Sequence, residues 1–373
     1  MNRIRVFLVD DTATVRHILS QILEEDPRID VVGTAADGEQ GLARLQRVDA
    51  DILVLDVEMP GMGGLDMLRA LRISRPELPV IVFSSITERG AMVTIEALSL
   101  GASDYVPKPA MVGSPAAARD YIRSTLLAKI HALADRPAVR QSRAPLREAN
   151  PVATRQTRPD PTHSLLRPGP AGAPQRIDAV AIGVSMGGPN ALGELFRRLP
   201  ADLPVPVLIV QHMPAMFTRA LAARLSQHGR IPVTECDAPM PVLPGRTLLA
   251  AGDYHLCLDR DGDTVWARPR YSDPVNFCRP SADVLFNTAA EVYGRHLLAV
   301  VMTGMGQDGL DGCRAVNRAG GQIIVQDESS SIVWGMAGSV ARAGLAEQQV
   351  PLAQLAEEIV MRVEPGRLWA REA

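Results

Sequence analysis

The chain has 373 residues, more than one ordinary hydrophobic core accommodates, so we expect two domains and a connection between them. Its formal net charge of -3 offers no general attraction to nucleic acid or to an anionic membrane, and neither is expected as a partner. The four cysteines are widely spaced and lack the Cys-x-x-Cys pairs of zinc or redox sites, which predicts reduced thiols.

The amino terminus lacks the pattern of a signal peptide, because the short apolar run after Arg5 stops at two aspartates. No apolar stretch approaches the roughly 20 residues that cross a bilayer. These features predict a cytoplasmic protein with no segment inserted in a membrane, and we expect it to be monomeric.

Residues 1–135 alternate short apolar runs with amphipathic helical stretches, which predicts a doubly wound parallel sheet with helices on both faces. The predicted strands are Ile4–Val9, Asp30–Ala35, Ile52–Leu55, Val80–Phe83 and Tyr105–Val106. A broken apolar stripe from Ala116 to Leu133 predicts the last helix of this domain.

Polar residues follow several of these strands. Asp10 and Asp11 follow the first, Asp56 the third, Ser84 the fourth, and Lys108 the fifth. The carboxyl ends of parallel strands converge on one crevice, where clustered carboxylates repel one another unless a cation such as Mg²⁺ joins them. One carboxylate can then attack phosphorus while Lys108 and Ser84 stabilise the phosphoryl group. Solvated loop acids are the alternative, and the complete set at successive strand ends argues against it.

This region resembles the receiver domain of bacterial two-component response regulators over its whole length. The motifs that carry the resemblance are Asp56-Val-Glu-Met-Pro60, Gly63-Gly64 and Tyr105-Val-Pro-Lys-Pro109. The resemblance implies a flavodoxin-like fold with Asp56 as the phosphoacceptor. It further implies that Asp10, Asp11 and Asp56 hold Mg²⁺, and that Ser84, Tyr105 and Lys108 are the switch residues.

Residues 136–176 lose all periodicity and are crowded with proline, arginine, alanine, serine and threonine. Proline extends the chain and removes backbone donors, so this segment cannot build a core of its own. The composition predicts a flexible linker. Simple tethering is preferred to the alternative, a docking segment for an acidic partner.

Residues 177–373 again alternate strands and helices, which predicts a second doubly wound, Rossmann-like parallel-sheet domain. The apolar run Ala179–Val184 enters a glycine-rich turn before a helical pattern, which places Ser185 at the end of a strand. Ser185 is therefore a candidate nucleophile. This turn alone is equally consistent with a phosphate-binding loop or a helix cap.

Two further strands end near acid–base residues. The run Val205–Val210 leads into His212, and Leu297–Met302 opens onto a glycine-rich loop with Asp308. Together with Ser185 these residues form the set needed for acyl transfer: His212 takes the serine proton, and Asp308 orients and stabilises the imidazole.

Other residues compete for these roles. His255 is a rival base, less favoured than His212, while Asp253 and Asp311 are acids that spacing separates poorly from Asp308. The chain order serine, histidine, acid argues against an α/β-hydrolase, in which the histidine comes last. The turn at Ser185 lacks the Gly-x-Gly-x-x-Gly pattern of a nicotinamide site.

The second domain resembles the catalytic domain of the CheB family of chemotaxis protein-glutamate methylesterases. The matching segments are Ile182-Gly-Val-Ser-Met-Gly-Gly-Pro189, Gln211-His-Met-Pro214, Pro244-Gly245, Asn276-Phe-Cys-Arg-Pro-Ser-Ala-Asp283, Thr303-Gly-Met-Gly-Gln-Asp-Gly309 and Trp334-Gly-Met336. The resemblance implies Ser185, His212 and Asp308 as nucleophile, base and acid, with no cofactor for the esterase. Within the fourth segment, Arg279, Ser281 and Asp283 are candidate residues of the substrate cleft.

Two positions depart from the family pattern. Met186 stands where the family commonly has threonine, so the oxyanion donors are expected to be backbone N–H groups, with Met186, Met305 and Gly306 as candidates. Ala337 replaces a frequent proline, and we expect this change to be mild.

The resemblance implies a phosphorylation-activated hydrolase that demethylates glutamate γ-methyl esters on methyl-accepting chemoreceptors and deamidates selected glutamines. It also implies a histidine kinase of the chemotaxis type as phosphodonor. The alternative is a non-catalytic adaptor with an inactive esterase fold, and the intact serine, histidine and aspartate set argues against it. Transcriptional output would require a helix-turn-helix after the receiver, where a larger α/β domain is predicted instead.

Overall fold

The computed structural model describes residues 3–109, 114–135 and 175–364. Within these ranges, none of the helices combines the length and apolarity needed to cross a membrane. Two parallel sheets, one in each domain, and a small antiparallel sheet make up the strands of the described chain.

The first domain is a five-stranded parallel sheet with the strand order β2-β1-β3-β4-β5. Its elements are β1 (Ile4–Val9), α1 (Ala13–Glu24), β2 (Ile29–Ala35), α2 (Gly38–Leu45), β3 (Ile52–Asp56), α3 (Gly64–Ser74), β4 (Val80–Ser84), α4 (Glu88–Ser99), β5 (Asp104–Pro107) and α5 (Pro115–Ala134). Every predicted strand is present, and its ends differ from the prediction by one residue at most.

Alternation along the buried strands distributes helices to both faces of this sheet. Val6 and Leu8 pack in one cluster with side chains of α1 and α5, while Phe7 and Val9 pack in another with α3 and α4. Successive side chains of a strand point to opposite faces, so a continuous apolar run fills two cores.

The second domain is a seven-stranded parallel sheet with the order β15-β14-β13-β6-β7-β10-β8. Its elements are β6 (Ala179–Val184), α6 (Gly188–Arg198), β7 (Val207–Gln211), α7 (Ala215–His228), β8 (Val233–Cys236), β9 (Met240–Pro241), β10 (Thr247–Ala250), β11 (His255–Asp261), β12 (Thr264–Arg270), α8 (Ala282–Tyr293), β13 (Leu297–Val301), α9 (Leu310–Arg318), β14 (Gln322–Gln326), α10 (Met336–Arg342), β15 (Gln348–Val350) and α11 (Leu352–Val363). Strand β7 begins later than the predicted Val205, because Pro206 has no N–H to give to the ladder.

An antiparallel sheet of β11, β12 and β9 interrupts the parallel arrangement and was not predicted. Strands β11 and β12 form a hairpin, and Gly262 in its turn has a φ of +57°. The two-residue turn is Gly262-Asp263, a glycine-first pair that is a recognised hairpin signal and that the sequence analysis did not use. This hairpin precedes the loop that later contributes to the candidate active site.

The predicted linker, residues 136–176, lies mostly outside the described residues, which resume at Gln175. The Gln175 amide donates to the carbonyl oxygen of Gly320 at 3.1 Å, and the Arg176 carbonyl oxygen lies 2.8 Å from Nδ1 of His296. The end of the predicted linker therefore contacts the second domain.

The two domains pack against each other through α4 of the first and α6 and α7 of the second. The rings of Tyr105 and Phe217 stack across this contact with their centroids 4.7 Å apart. Asn190 Nδ2 donates to the carbonyl oxygen of Ala102 at 3.0 Å. One cluster of buried apolar side chains continues from one domain into the other.

Candidate active site and phosphorylation site

Ser185 and His212 lie at the ends of neighbouring strands. Strands β6 and β7 pair in parallel with Val184 opposite Gln211, so the residues that follow project at the same edge of the sheet. Strand β13 pairs with β6 on its other side, and the loop after β13 carries Asp308. The parallel topology thus brings the ends of the three predicted strands together.

The turn after β6 is fixed by glycine at two close approaches. Gly187 has a φ of +75°, and a Cβ there would lie 2.6 Å from the Ile332 side chain. A Cβ on Gly304, on the neighbouring loop, would lie 2.9 Å from Cβ of Ser185 and 2.3 Å from Sδ of Met336. The chain therefore passes beside Ser185 at a distance that only glycine permits.

His212 and Asp308 form a hydrogen-bonded pair, with 2.8 Å between Nε2 and Oδ2. Because an ionised carboxylate only accepts, Nε2 is the donor and Nδ1 is the nitrogen left to act as a base. Nδ1 lies 3.5 Å from Sγ of Cys278. Among the described residues, no hydrogen bond joins the Ser185 hydroxyl to His212, and catalytic hydrogen bonds of this kind often form only with substrate bound.

Asp308 is almost completely buried and receives several hydrogen bonds. Its carboxylate accepts from the Ser281 hydroxyl at 2.6 Å, from the Ala282 backbone N–H at 2.6 Å, and from the Asn276 amide at 3.0 Å. Burial alone raises the pKa of Asp308, but the hydrogen bonds from His212, Ser281 and Asn276 outweigh it and hold the pKa well below its usual range. Asp308 therefore remains an anion beside the imidazole.

The pKa values of His212 and Asp283 are both raised, for different reasons. Burial alone lowers the pKa of His212, but its interactions with Asp308 and Cys278 more than reverse this and raise it to about 9. Burial raises the pKa of Asp283 to about 6, against the hydrogen bond that it accepts from the Gly312 N–H at 2.6 Å. The imidazole is thus held in its protonated form near neutral pH.

Arg279, Ser281 and Asp283 were expected in the substrate cleft, and two of them are buried instead. Ser281 and Asp283 are 0% and 3% exposed, so they do not line a cleft; they support the acid, since Ser281 bonds Asp308 directly and Asn276 bridges Asp283 and Asp308. Arg279 donates to the Ser272 carbonyl oxygen at 2.7 Å and lies over the Tyr271 ring.

Sequence reasoning gave no individual role to Asn276 or Cys278, which contact Asp308 and His212. Both belong to the segment 276–283 that carried the family resemblance, and this resemblance was the only sequence signal that these two residues belong to the site. His255, the rival base, is buried; its Nε2 lies 3.1 Å from the Asp273 carbonyl oxygen, and its Nδ1 accepts from the Ser281 N–H. It therefore supports the loop.

The oxyanion candidates lie on the two loops next to Ser185. The Thr303 hydroxyl donates to the Met186 carbonyl oxygen at 2.9 Å and so fixes the Met186–Gly187 peptide group. Met305 is 44% exposed, and Gly306 has a φ of +83°. The side chain of Met186 is buried in a cluster that otherwise consists of receiver residues, Ile332 and Val333.

In the first domain the predicted acids also come together. Oxygen atoms of Asp10, Asp11 and Asp56 lie within 4.8 Å of one another, and Asp10 and Asp56 are buried. Lys108 Nζ donates to Asp56 at 2.6 Å and to Asp10 at 3.0 Å. Burial raises the pKa of Asp10 despite the attraction of Lys108. Closely spaced carboxylate oxygens are the ligands that suit a hard divalent cation.

The two other switch candidates point away from these acids. The Ser84 hydroxyl donates to the Gly90 carbonyl oxygen at 3.2 Å, at the start of α4. Tyr105 is buried against Phe217 of the second domain. Ser84 therefore contacts the start of α4, and Tyr105 contributes to the domain interface.

Comparison with known proteins identifies both domains. Residues 180–359 match the CheB methylesterase family model, and residues 6–114 match the model of the response regulator receiver domain. A protein-glutamate methylesterase/protein-glutamine glutaminase of Trichodesmium erythraeum is 44% identical, over 97% of this chain and 100% of its own. This chain belongs to the CheB methylesterase family. The predictions of the family, the parallel α/β fold and an enzyme of this class are therefore confirmed.

Other members are similarly close. The methylesterase/glutaminase of Nocardioides sp. is 43% identical over 98% of this chain and 97% of its own. The crystal structure of the Thermotoga maritima CheB methylesterase catalytic domain is 37% identical, covering 50% of this chain and 98% of that one with a TM-score of 0.49. As in receiver domains generally, the phosphorylation site is a site for a divalent metal.

Proposed function

We propose that Ser185, His212 and Asp308 hydrolyse γ-methyl esters of glutamate side chains on methyl-accepting chemoreceptors, and deamidate selected glutamines. The observation that carries this proposal is the 2.8 Å pair of His212 and Asp308 at the strand ends beside Ser185. A buried carboxylate that orients one imidazole nitrogen leaves the other free to activate a hydroxyl.

In the acylation step, Nδ1 of the deprotonated fraction of His212 removes the proton of the Ser185 hydroxyl as its oxygen attacks the ester carbonyl carbon. Asp308 stabilises the imidazolium that forms, and backbone N–H groups at Met186, Met305 or Gly306 stabilise the oxyanion. His212 then returns the proton to the leaving methoxide, which departs as methanol and leaves a glutamyl ester on Ser185.

In the second step, water attacks the acyl-enzyme with His212 again as the base. The products are a free glutamate side chain and regenerated Ser185. A glutamine substrate follows the same route and releases ammonia. Because the amide nitrogen is a poorer leaving group than the methoxide of an ester, its protonation by His212 matters more for deamidation.

Regulation is assigned to the receiver. Asp56 is the proposed phosphoacceptor, with a chemotaxis-type histidine kinase as donor. Asp10, Asp11 and Asp56 fit Mg²⁺ because their oxygen atoms are close and two of them are buried. When bound, this ion would supply positive charge that offsets the phosphoryl oxygens. Lys108 would contact the same group, and Ser84 would reach it only after its hydroxyl turns away from the Gly90 carbonyl oxygen. The esterase itself needs no cofactor.

The docked receiver is proposed to inhibit the esterase. Met186 follows the nucleophile directly, and its buried side chain shares a cluster with receiver residues such as Val106 and Ile122. A tethered domain has a high effective concentration, so a modest interface suffices to keep the site covered. Phosphorylation would act through Ser84 and Tyr105 to weaken the interface and shift the population towards an open site.

We assign residues 1–135 to the receiver, 136–176 to the linker and 177–373 to the catalytic domain. The protein is proposed to act as a monomer in the cytoplasm. Two sheet domains, each with its own sequence-continuous set of strands and helices, support this division.

The test is methanol release from methylated receptor membranes by the purified full-length protein, with and without a small phosphodonor. We expect release that increases with the phosphodonor. Ser185→Ala should lower the rate by several orders of magnitude, because members of a triad act as a unit. More than about a tenth of the activity in that variant would remove Ser185 from the role of nucleophile. No release by the unaltered protein would favour the non-catalytic adaptor.

A further inference from the structure

Phe277 combines full exposure with a position next to the catalytic pair. It is the most exposed large apolar side chain of the described residues. The residue before it, Asn276, bonds Asp308, and the residue after it, Cys278, contacts His212. Phe277 therefore lies on the turn between the residue that bonds the acid and the residue that contacts the base.

The backbone holds this ring in an unfavourable conformation. Val275 and Cys278 exchange two backbone hydrogen bonds, of 3.0 and 2.9 Å, which close a turn around Asn276 and Phe277. Both central residues have positive φ, 52° and 62°, as in the type I′ turn. Asparagine tolerates this region, but glycine is the usual residue at the second position, and a bulky side chain there is strained.

The turn is anchored on both sides, so the ring is presented on a rigid support. Asn276 donates to Asp283 at 2.6 Å and to Asp308 at 3.0 Å. On the other side, the Arg279 guanidinium lies 4.1 Å from the centre of the Tyr271 ring. Strain, complete exposure and rigid support at the edge of an active site together indicate a contact made with a partner outside this chain.

We propose that Phe277 is a specificity-determining residue that packs against apolar side chains flanking the ester-bearing glutamate in the protein substrate. This inference rests on the proposed function. In a helical substrate, residues three and four positions from the glutamate lie on the same face and would reach the ring. A small ester has no flanking residues, so only the protein substrate gains from the contact.

The test uses full-length protein with a phosphodonor present, so that the receiver is in the same state throughout. For each variant, kcat/KM is measured for methanol release from methylated receptor membranes and for hydrolysis of p-nitrophenyl acetate. Phe277→Ala and Phe277→Gly should each lower the ratio of the two constants about tenfold or more, as expected for loss of an aromatic anchor, through a higher KM for the receptor. Ile73→Ala, an exposed apolar position on α3, is the matched control and should leave the ratio unchanged.

The thermal midpoint of unfolding provides a second measurement. Phe277→Gly should raise it above that of Phe277→Ala, because glycine adopts positive φ without strain. A ratio within twofold of the unaltered protein in both Phe277 variants would overturn the inference, as would an equal loss on both substrates. Hydrolysis of the small ester without any methanol release would instead overturn the proposed substrate, and the inference with it.

Discussion

His212 has two side-chain neighbours that together set the pH at which it accepts a proton. With its pKa raised to about 9, the imidazole is protonated at neutral pH and becomes a base as the pH rises. We therefore expect kcat/KM for a small ester to increase from neutral to alkaline pH, with an apparent pKa near 9. The measurement is the initial rate as a function of pH at constant ionic strength.

Cys278→Ala provides the variant for this prediction. The interaction of Cys278 with Nδ1 contributes to the raised pKa of His212, so its loss should move the profile to lower pH. Cys257→Ala is the matched control, because its thiol is buried in the antiparallel sheet. Identical profiles for all three proteins would show that Asp308 alone sets the pKa.

We predict that Gly304 is required for activity, because the space beside Ser185 has no room for a larger residue. In Gly304→Ala, the added Cβ would lie 2.9 Å from Cβ of Ser185, so the nucleophile or the loop must move. Displacement of a catalytic group by about 1 Å costs on the order of 100-fold in rate, and we expect a loss of this size. Gly193→Ala on α6 is the control, since its Cβ meets only a side-chain atom at 3.9 Å. Wild-type activity in Gly304→Ala would contradict the described packing.

At the level of elements, the hydrogen bond from α6 to the turn between α4 and β5 is the part of the domain interface that a single substitution tests most directly. Asn190→Ala removes the hydrogen bond to the Ala102 carbonyl oxygen. A hydrogen bond contributes about 1 kcal/mol, which corresponds to about a fivefold shift between closed and open states. We expect basal methanol release to rise by about that factor, with little change in the phosphorylated protein. A rise of equal size in both states would point to a direct effect on catalysis.

The elements also explain why the acid of the triad is so firmly held. Asp308 lies just before α9 and accepts the backbone N–H of Ala282 at the start of α8. The loop between the antiparallel sheet and α8 supplies Asn276 and Ser281 to the same carboxylate. After the hairpin of β11 and β12, the chain thus returns to the active site.

For the whole molecule, the order of the domains predicts that the esterase is activated when the receiver separates from it. A fragment of residues 175–373 should be more active than unphosphorylated full-length protein, because removal of the receiver uncovers Met186 and the nucleophile beside it. Equal rates of methanol release from the two proteins on the same receptor would rule out inhibition by the receiver.

Asp56→Asn in the full-length protein separates phosphorylation from domain packing. The substitution keeps the size of the side chain but removes the proposed phosphoacceptor, so stimulation by phosphodonor should disappear and basal activity should remain. Methanol release with and without the phosphodonor measures both. Stimulation that survives in this variant would place phosphorylation elsewhere.

The sequence by itself determined the two parallel sheets and the edge of each that carries polar residues. Continuous apolar runs specify buried parallel strands, and the residues directly after them fall at the carboxyl edge of the sheet. For this reason the sequence alone places Asp56, Ser185 and His212 at that edge. The strand predictions differ from the structure mainly near Pro206, where the missing N–H delays β7.

Only the tertiary structure decided which side chains meet across long separations. Asn276 and Ser281 reach Asp308 from 32 and 27 positions away, and Cys278 lies beside His212 across 66. The same holds for the stacking of Tyr105 on Phe217 between the domains. Periodicity and strand-end position are local properties of the chain, whereas these contacts depend on loop paths and domain packing that no local pattern encodes.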